Sequence, residues 1–138
     1  MSRTAITLCP STDPSYSDAV MVGSTIYIAG QTGKNPATGK LVSAEFSQQT
    51  HQVWKNIGSI LRQVGADYSH LVSISAYLLR PTDHDLYVEI RNSYVLPSRV
   101  ATTTVMPRSL LDHTSTLAEP EPWIKVVAVA ELDPVRAL

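Results

Sequence analysis

Residues Val100 to Val105 read Val-Ala-Thr-Thr-Thr-Val, a β-branched run between Arg99 and Met106-Pro107. Such residues suit a pleated, half-buried backbone, so the run predicts a strand. Alternation puts Thr102 and Thr104 on one face and Thr103 on the other. Whichever face lines a cleft is offered hydroxyls and no charge. Hydroxyls can hydrogen-bond a ligand, although ordinary strand threonines look the same in sequence. The other chemistry-bearing side chains are dispersed. His51, His70, His84 and His113 lie far apart, and none falls in a His-x-x-x-His or Cys-x-x-Cys arrangement. Nothing in that spacing argues for zinc, and no metal or cofactor is expected. Cys9 is the one cysteine, without a histidine partner in the pattern, and reads as a structural thiol. Gly33 and Gly39-Lys40 outline a phosphate loop. The spacing is one residue too long, and Leu41 stands where a magnesium-binding Ser or Thr is needed, so a plain loop is the better reading.

Several elements must position these groups. Ala19 to Val22 and Thr25 to Ala29 are apolar runs separated by Gly23-Ser24, which predicts a hairpin. Asn35-Pro36 and Thr38-Gly39 mark a loop over 33–40. Ser43 is a candidate helix cap, with Glu45 near the positive end of the dipole. Phe46, Val53, Ile57, Leu61 and Val64 then recur at helical spacing, and Gly65 is a good stop, predicting a helix over about 44–64. Leu71 to Leu79 predicts a strand, with Val72, Ile74 and Ala76 alternating against Ser73 and Ser75. Thr82 and Asp85 resemble a capping box opening a helix over about 83–95, which Pro97 helps to end. The threonine strand and a last strand, Trp123 to Leu132, complete the pattern. This is α+β: a two-layer domain with a mixed sheet of about six strands and two helices on one face. Tyr27, Tyr77 and Tyr87 fall within these elements, where core or interface packing is their expected role.

The chain has 138 residues, enough for one domain with a single core, spanning 1–138. A formal net charge of −1 with singly scattered basic residues supplies no stripe for a phosphate backbone, so no nucleic-acid partner is expected. The N-terminus lacks a signal peptide's apolar core, and Val126 to Ala130 is far too short to span a bilayer. A cytoplasmic protein without a membrane partner is the expectation.

At Tyr27-Ile-Ala-Gly-Gln-Thr-Gly the hairpin runs into a Gly-Gln turn. Thr38 to Val42, Gln49 to Ile57, Leu61 to Ala66, Pro14-Ser15-Tyr16-Ser17 and the closing Ala128-Val129-Ala130 accompany it. Their order and spacing resemble the Rid superfamily, also called the YjgF or RidA-like family, over about residues 14–132. The resemblance implies a chorismate-mutase-like fold and a homotrimer with clefts between neighbouring subunits. For the best-known branch it implies hydrolysis of reactive enamines and imines to ketoacid and ammonia. There an arginine after Pro-Ala, opening the penultimate strand, holds the substrate carboxylate. A glutamate in the last strand positions water, and an asparagine lies in the second helix.

The chain departs at each of these places. Thr102 stands at the arginine position, Lys125 at the glutamate, Val127 at a second acid and Val88 at the asparagine. Ala29 replaces a serine common before the Gly-Gln turn. A rival register on Pro97-Ser98-Arg99 would restore an arginine, but it moves Ala101 and the threonines out of step with the strand. Arg91 in place of an aromatic, and Leu117-Ala118-Glu119-Pro120, resemble the arginine-lacking subgroups. Tyr16 and Gly30 match the family's pocket, with Gln31 beside them. The segment over 106–122 is longer than in the deaminase branch, as lids and specificity loops often are.

Arginine holds a carboxylate through two parallel charge-assisted bonds, which threonine cannot make. Such a bond contributes roughly 1.5–3 kcal/mol, about one to two decades in rate. A 2-imino acid is therefore hard to support as substrate, and a neutral or differently charged ligand fits better. Lys125 inverts the local charge. It can act as a base, polarise a carbonyl, hold an anion, or simply snorkel from the sheet. Glu119 and Glu121, beside Pro120 and Pro122, could supply a base, as could His113. Trp123 fits a cleft rim or a subunit interface. The candidate catalytic groups are thus Lys125, Tyr16, Glu119 and His113. The candidate substrate-binding residues are Gly30, Gln31, Thr102, Thr104, Val88, Arg91 and Trp123. Three functions stay open: an enzyme acting on a reactive enamine, imine or related hydrolysable species; a divergent enzyme of cyclisation, isomerisation or dehydration in a specialised pathway; and a non-catalytic small-molecule-binding trimer.

Overall fold

The hairpin at Gly23-Ser24 is present. Strands β2 (Ala19–Val22) and β3 (Thr25–Gln31) pair antiparallel, and Gly23 takes the positive φ of 60° that the tight turn requires. The computed structural model describes residues 2–8, 16–110 and 121–132. Four further strands are β1 (Arg3–Ile6), β4 (Leu71–Leu78), β5 (Ala101–Val105) and β6 (Ile124–Glu131), and the helices are α1 (Phe46–Arg62) and α2 (His84–Asn92). The strands form one sheet in the order β1-β2-β3-β6-β4-β5. Only the β4–β5 pair is parallel, as expected of strands joined through a helix. The expected α+β mixed sheet with two helices is what the chain forms. Among the described residues no helix is long and apolar enough to cross a membrane.

Alternation along β6 sets the two faces. Ile124, Val126, Ala128 and Ala130 are buried, and Lys125, Val127, Val129 and Glu131 between them are half-buried. The buried set lies beside Leu78, Ala76 and Ile74 of β4 and beside Ile26 and Ile28 of β3. Helix α1 covers this face over β3 and β6, with α2 packed beside it. The helix turns Phe46, Val53, Trp54, Ile57, Ile60 and Leu61 inward, and removing this apolar surface from water is the main source of the layer's stability. Tyr87 and Ile90 do the same from α2.

Several local expectations are corrected. Helix α1 starts at Phe46, and Glu45 at its N-cap makes no side-chain cap bond. Ser43 sits one turn earlier: its hydroxyl accepts from the Glu45 N–H at 3.0 Å, and its carbonyl accepts from the Gln49 side chain at 2.9 Å. Helix α2 is shorter than 83–95: a 3₁₀ turn over Pro81–Asp83 precedes it, and it ends at Asn92 with Ser93 at the C-cap. No Thr82–Asp85 box forms there. Asp83 occupies the N-cap without capping, its carboxylate accepting from Arg80 Nε at 2.8 Å. Reciprocal capping occurs instead before β4, where His70 Nδ1 accepts from the Asp67 N–H at 3.0 Å. Val72 faces solvent and Leu71 the core, because the register of β4 shifts between Leu71 and Ser73. Strand β1 was not foreseen. It is a short edge whose only buried residue is Ile6.

The glycines at 33 and 39 make no phosphate loop. A Cβ on Gly33 would lie 2.6 Å from the Gln49 Cα, so this glycine permits the loop to press against the α1 backbone. Asn56 ties the same loop down, donating to the carbonyls of Thr32 and Lys34 at 3.3 and 2.9 Å.

Candidate active site

The site grows from a bulge in β3. Ile28 pairs with Ala128 and Gln31 with Val126, so three steps on β3 match two on β6. The extra residue inverts the alternation of β3. Gln31 is thereby carried to the buried side, and Gly30 comes against Lys125. A Cβ on Gly30 would stand 2.7 Å from Lys125 Cδ and 2.9 Å from Cγ. The lysine stem therefore lies directly over the glycine, in space any other residue would fill. This contact is on the face of the sheet without helices.

There a cleft of about 440 Å³ opens. Its floor is Gly30, Lys125 and Val127, and Tyr16 and Tyr77 border it. Tyr77 is the direct cross-strand neighbour of Lys125. Pro107, Ser109 and Leu110 form the remaining wall. That wall is fastened to the root of β6 by Glu121, whose carboxylate accepts from the Ser109 hydroxyl at 2.6 Å and from the Leu110 N–H. Among the described lining residues Lys125 is the one charged side chain. The cleft thus offers an ammonium, two phenols and a serine hydroxyl against apolar walls.

Of the residues singled out in sequence, Lys125, Tyr16 and Gly30 meet here. Gln31 is beside them but committed to structure: its side chain donates to Asp18 Oδ1 at 3.3 Å and to the Ala29 carbonyl at 3.2 Å. Asp18 also accepts from the Leu8 N–H at 2.8 Å, so this pair anchors the chain entering β2. Thr102 and Thr104 stand next to Ile74 and Ala76, on the helix side of the edge strand, and Thr103 stands next to Ser75 on the cleft side. None of the three is among the described residues that line the cleft. Arg99 is exposed in a 3₁₀ turn ahead of β5. Val88 packs against the core from α2. Arg91 donates to Asn92 Oδ1 at 3.1 and 3.0 Å and approaches the Tyr87 ring, so both α2 residues lie on the opposite side of the sheet. Trp123 is fixed to α1: its backbone N–H donates to Gln49 Oε1 and its indole to the Ala44 carbonyl, at 2.8 and 2.9 Å. The Arg80 guanidinium stacks 3.7 Å above its ring. His113, Glu119 and Cys9 fall outside the described residues.

Tyr77, Pro107, Ser109 and Leu110 were not singled out as site residues. Tyr77 had a readable signal, since it shares the parity of Ser73 and Ser75 on β4. Tyr27 is likewise outside the core, at 53% exposure on the helix-free face, whereas Tyr87 is buried. Burial pushes the Tyr87 phenol up to about 12. Among the described residues no three His, Cys, Asp or Glu side chains converge on a metal position.

Comparison with known proteins agrees with this architecture. The family model described as Endoribonuclease L-PSP matches residues 8–134. The 2-iminobutanoate/2-iminopropanoate deaminase of Mus musculus is 34% identical over 123 residues, covering 86% of this chain and 91% of that protein. A RutC family protein of Pyrococcus abyssi is 32% identical over 110 residues, covering 77% and 87%. Among solved structures, RidA from an Antarctic Psychrobacter has a TM-score of 0.76 at 25% identity, covering 89% of this chain and 93% of that one. A Rid-family protein of unknown function from Yersinia pestis reaches 0.81 at 24% identity, covering 94% and 99%, a likeness of fold alone. With its family model, its relatives and its six-stranded sheet all in agreement, the chain belongs to the Rid superfamily.

Proposed function

We propose that this protein hydrolyses a reactive imine or enamine to a carbonyl compound and ammonia, in the Lys125 cleft completed by a neighbouring subunit of a homotrimer. Its preferred substrate on this reading is not the small 2-imino acid named for its relatives. The reaction class is supported by family membership and by a deaminase 34% identical over most of both chains. The substrate class is carried by one observation: the described lining of the cleft holds a single charge, the Lys125 ammonium. An ammonium is a point charge and cannot grip a carboxylate bidentately. Val127, Leu110 and Pro107 meanwhile favour an apolar substituent. A net charge of −1 also suits a small molecule better than a nucleic acid.

The test is ammonia release from imines generated in situ, measured above the buffer rate. Imines or enamines lacking the α-carboxylate, or bearing an apolar substituent, should be accelerated at least about tenfold more than 2-iminopropanoate, the size of one charge-assisted hydrogen bond. Fastest turnover of 2-iminopropanoate and 2-iminobutanoate would overturn the substrate class. No acceleration of any imine would overturn hydrolysis and leave the protein a binder.

A further inference from the structure

We propose that Tyr77 is a specificity-determining residue of the cleft, its hydroxyl hydrogen-bonding an uncharged oxygen on the substituent of the imine or enamine; this rests on the imine-processing reading above. Three observations support it. The first is placement. Tyr77 is in β4, opposite Lys125 of β6 on one side and Val105 of β5 on the other, so its backbone is held in the sheet from both sides. Its side chain lines the cleft and has only two torsions to fix, so little freedom is lost when a ligand docks on it.

The second is availability. The other polar side chains of the described lining, Tyr16, Ser109 and Lys125, each engage further groups of the protein. Two half-buried tyrosines beside α1 do likewise. The Tyr68 hydroxyl donates to the Trp54 carbonyl at 2.7 Å, and the Tyr94 hydroxyl lies 2.8 Å from His51 Nδ1. The Tyr77 hydroxyl has no such partner among the described residues. It is not sealed in either: there the Trp54 indole N–H is the one buried side-chain polar group without a partner. The third is chemistry. A phenol is uncharged, donates and accepts, and offers an apolar ring beside its polar tip. It therefore reads a carbonyl or amide oxygen, which needs no counter-charge, while Val127 and Leu110 take the carbon skeleton. Because the hydroxyl is open, a substrate without that oxygen leaves no polar group stranded in the protein. The discrimination is that of one neutral hydrogen bond, about three- to tenfold.

The experiment compares the intact protein with Tyr77→Phe, which deletes one oxygen, on two imines generated in situ. 2-Iminopropanamide and 3-methylbutan-2-imine have nearly the same shape, but only the first carries an amide oxygen. In Tyr77→Phe the KM of the amide should rise about three- to tenfold with kcat little changed, and the alkyl imine should keep its wild-type constants. A merely structural role would move both substrates together. Equal change in both, or none in either, would reject Tyr77 as a specificity residue and leave imine hydrolysis standing. An altered oligomeric state in Tyr77→Phe would assign the residue to packing between subunits and count equally against the proposal. If the wild type turns over neither imine, hydrolysis fails, and the affinities of the stable ketones 2-oxopropanamide and 3-methylbutan-2-one then decide the role of Tyr77. Selective weakening of 2-oxopropanamide in Tyr77→Phe would uphold it; unchanged affinity, or no binding of either ketone to the wild type, would sink it.

Discussion

Two neighbouring residues of β6, Ile124 and Lys125, point to opposite faces of one sheet and serve opposite ends. Ile124 is fully buried beneath the helices, and Lys125 lies half-buried in an open cleft over a glycine. On the helix side, neighbours are apolar and packing is dense, so shape governs. On the cleft side, among the described residues, Lys125 is the one charged group beside hydroxyls, so charge and reach govern. The contrast explains how a fold can persist while the chemistry on it changes. The residues packed beneath the helices and those that line the cleft share a backbone but face opposite sides of it.

The sharpest way to break this contrast is to truncate both residues. Ile124→Ala should destabilise the fold by about 2–5 kcal/mol in denaturant unfolding, the usual range for a buried isoleucine. Lys125→Ala should leave stability within about 0.5 kcal/mol and lower turnover about a hundredfold or more. Equal losses of stability in both variants would show that the faces are not independent.

Alkaline titration probes the helix side through Tyr87. The Tyr87 phenol is held up to about 12 in the fold against 10.0 ordinarily, chiefly by burial. The folded state thus favours the protonated phenol. Its contribution is complete below pH 10 and is lost as the pH rises from 10 toward 12, by up to about 2–3 kcal/mol. Unfolding midpoints across that range should fall, and Tyr87→Phe should remove Tyr87's share of the slope. An unchanged slope in the variant would contradict this origin.

Glycine replacements sharpen the comparison at smaller scale. Gly33→Ala drives a methyl into the α1 backbone at Gln49, which has nowhere to move, and should cost about 1–3 kcal/mol of stability. Gly30→Ala meets only the middle of the Lys125 side chain, which can swing away. It should spare stability and reduce turnover by about tenfold, roughly the value of lost orientation at one group. The smallest effect is expected at Glu121→Gln, which weakens the bonds to Ser109 and Leu110. It should raise KM by about two- to fivefold with kcat little changed, consistent with one weakened hydrogen bond.

Much of this architecture was legible because burial writes a period into sequence. Phe46, Val53, Ile57 and Leu61 are all in the core, as their helical spacing required. Ile74 and Ala76 face the helices for the equivalent reason in a strand. The bulge between Ile28 and Gln31 was not legible, since one extra residue changes which side chains share a face without changing composition. The faces of Thr102, Thr103 and Thr104 follow from pairing with β4, a non-local fact that alternation alone leaves open. The cleft wall at Ser109 and Leu110 depends on Glu121, twelve residues from Ser109 in the chain, and no periodicity announces such a tie. Strand β1 escaped because three of its four residues are exposed.

The packing of Lys125 on Gly30 also constrains the order in which this site can change over generations. While position 125 carries a long stem, every larger residue at 30 meets it, so changes at 30 are penalised regardless of their own merits. Once position 125 is shortened, the space above 30 opens and side chains previously excluded become admissible. The two positions are therefore epistatic in a directed sense, with 125 acting as the gatekeeper of 30. A larger residue at 30 is thus admitted only as the stem at 125 moves or shortens.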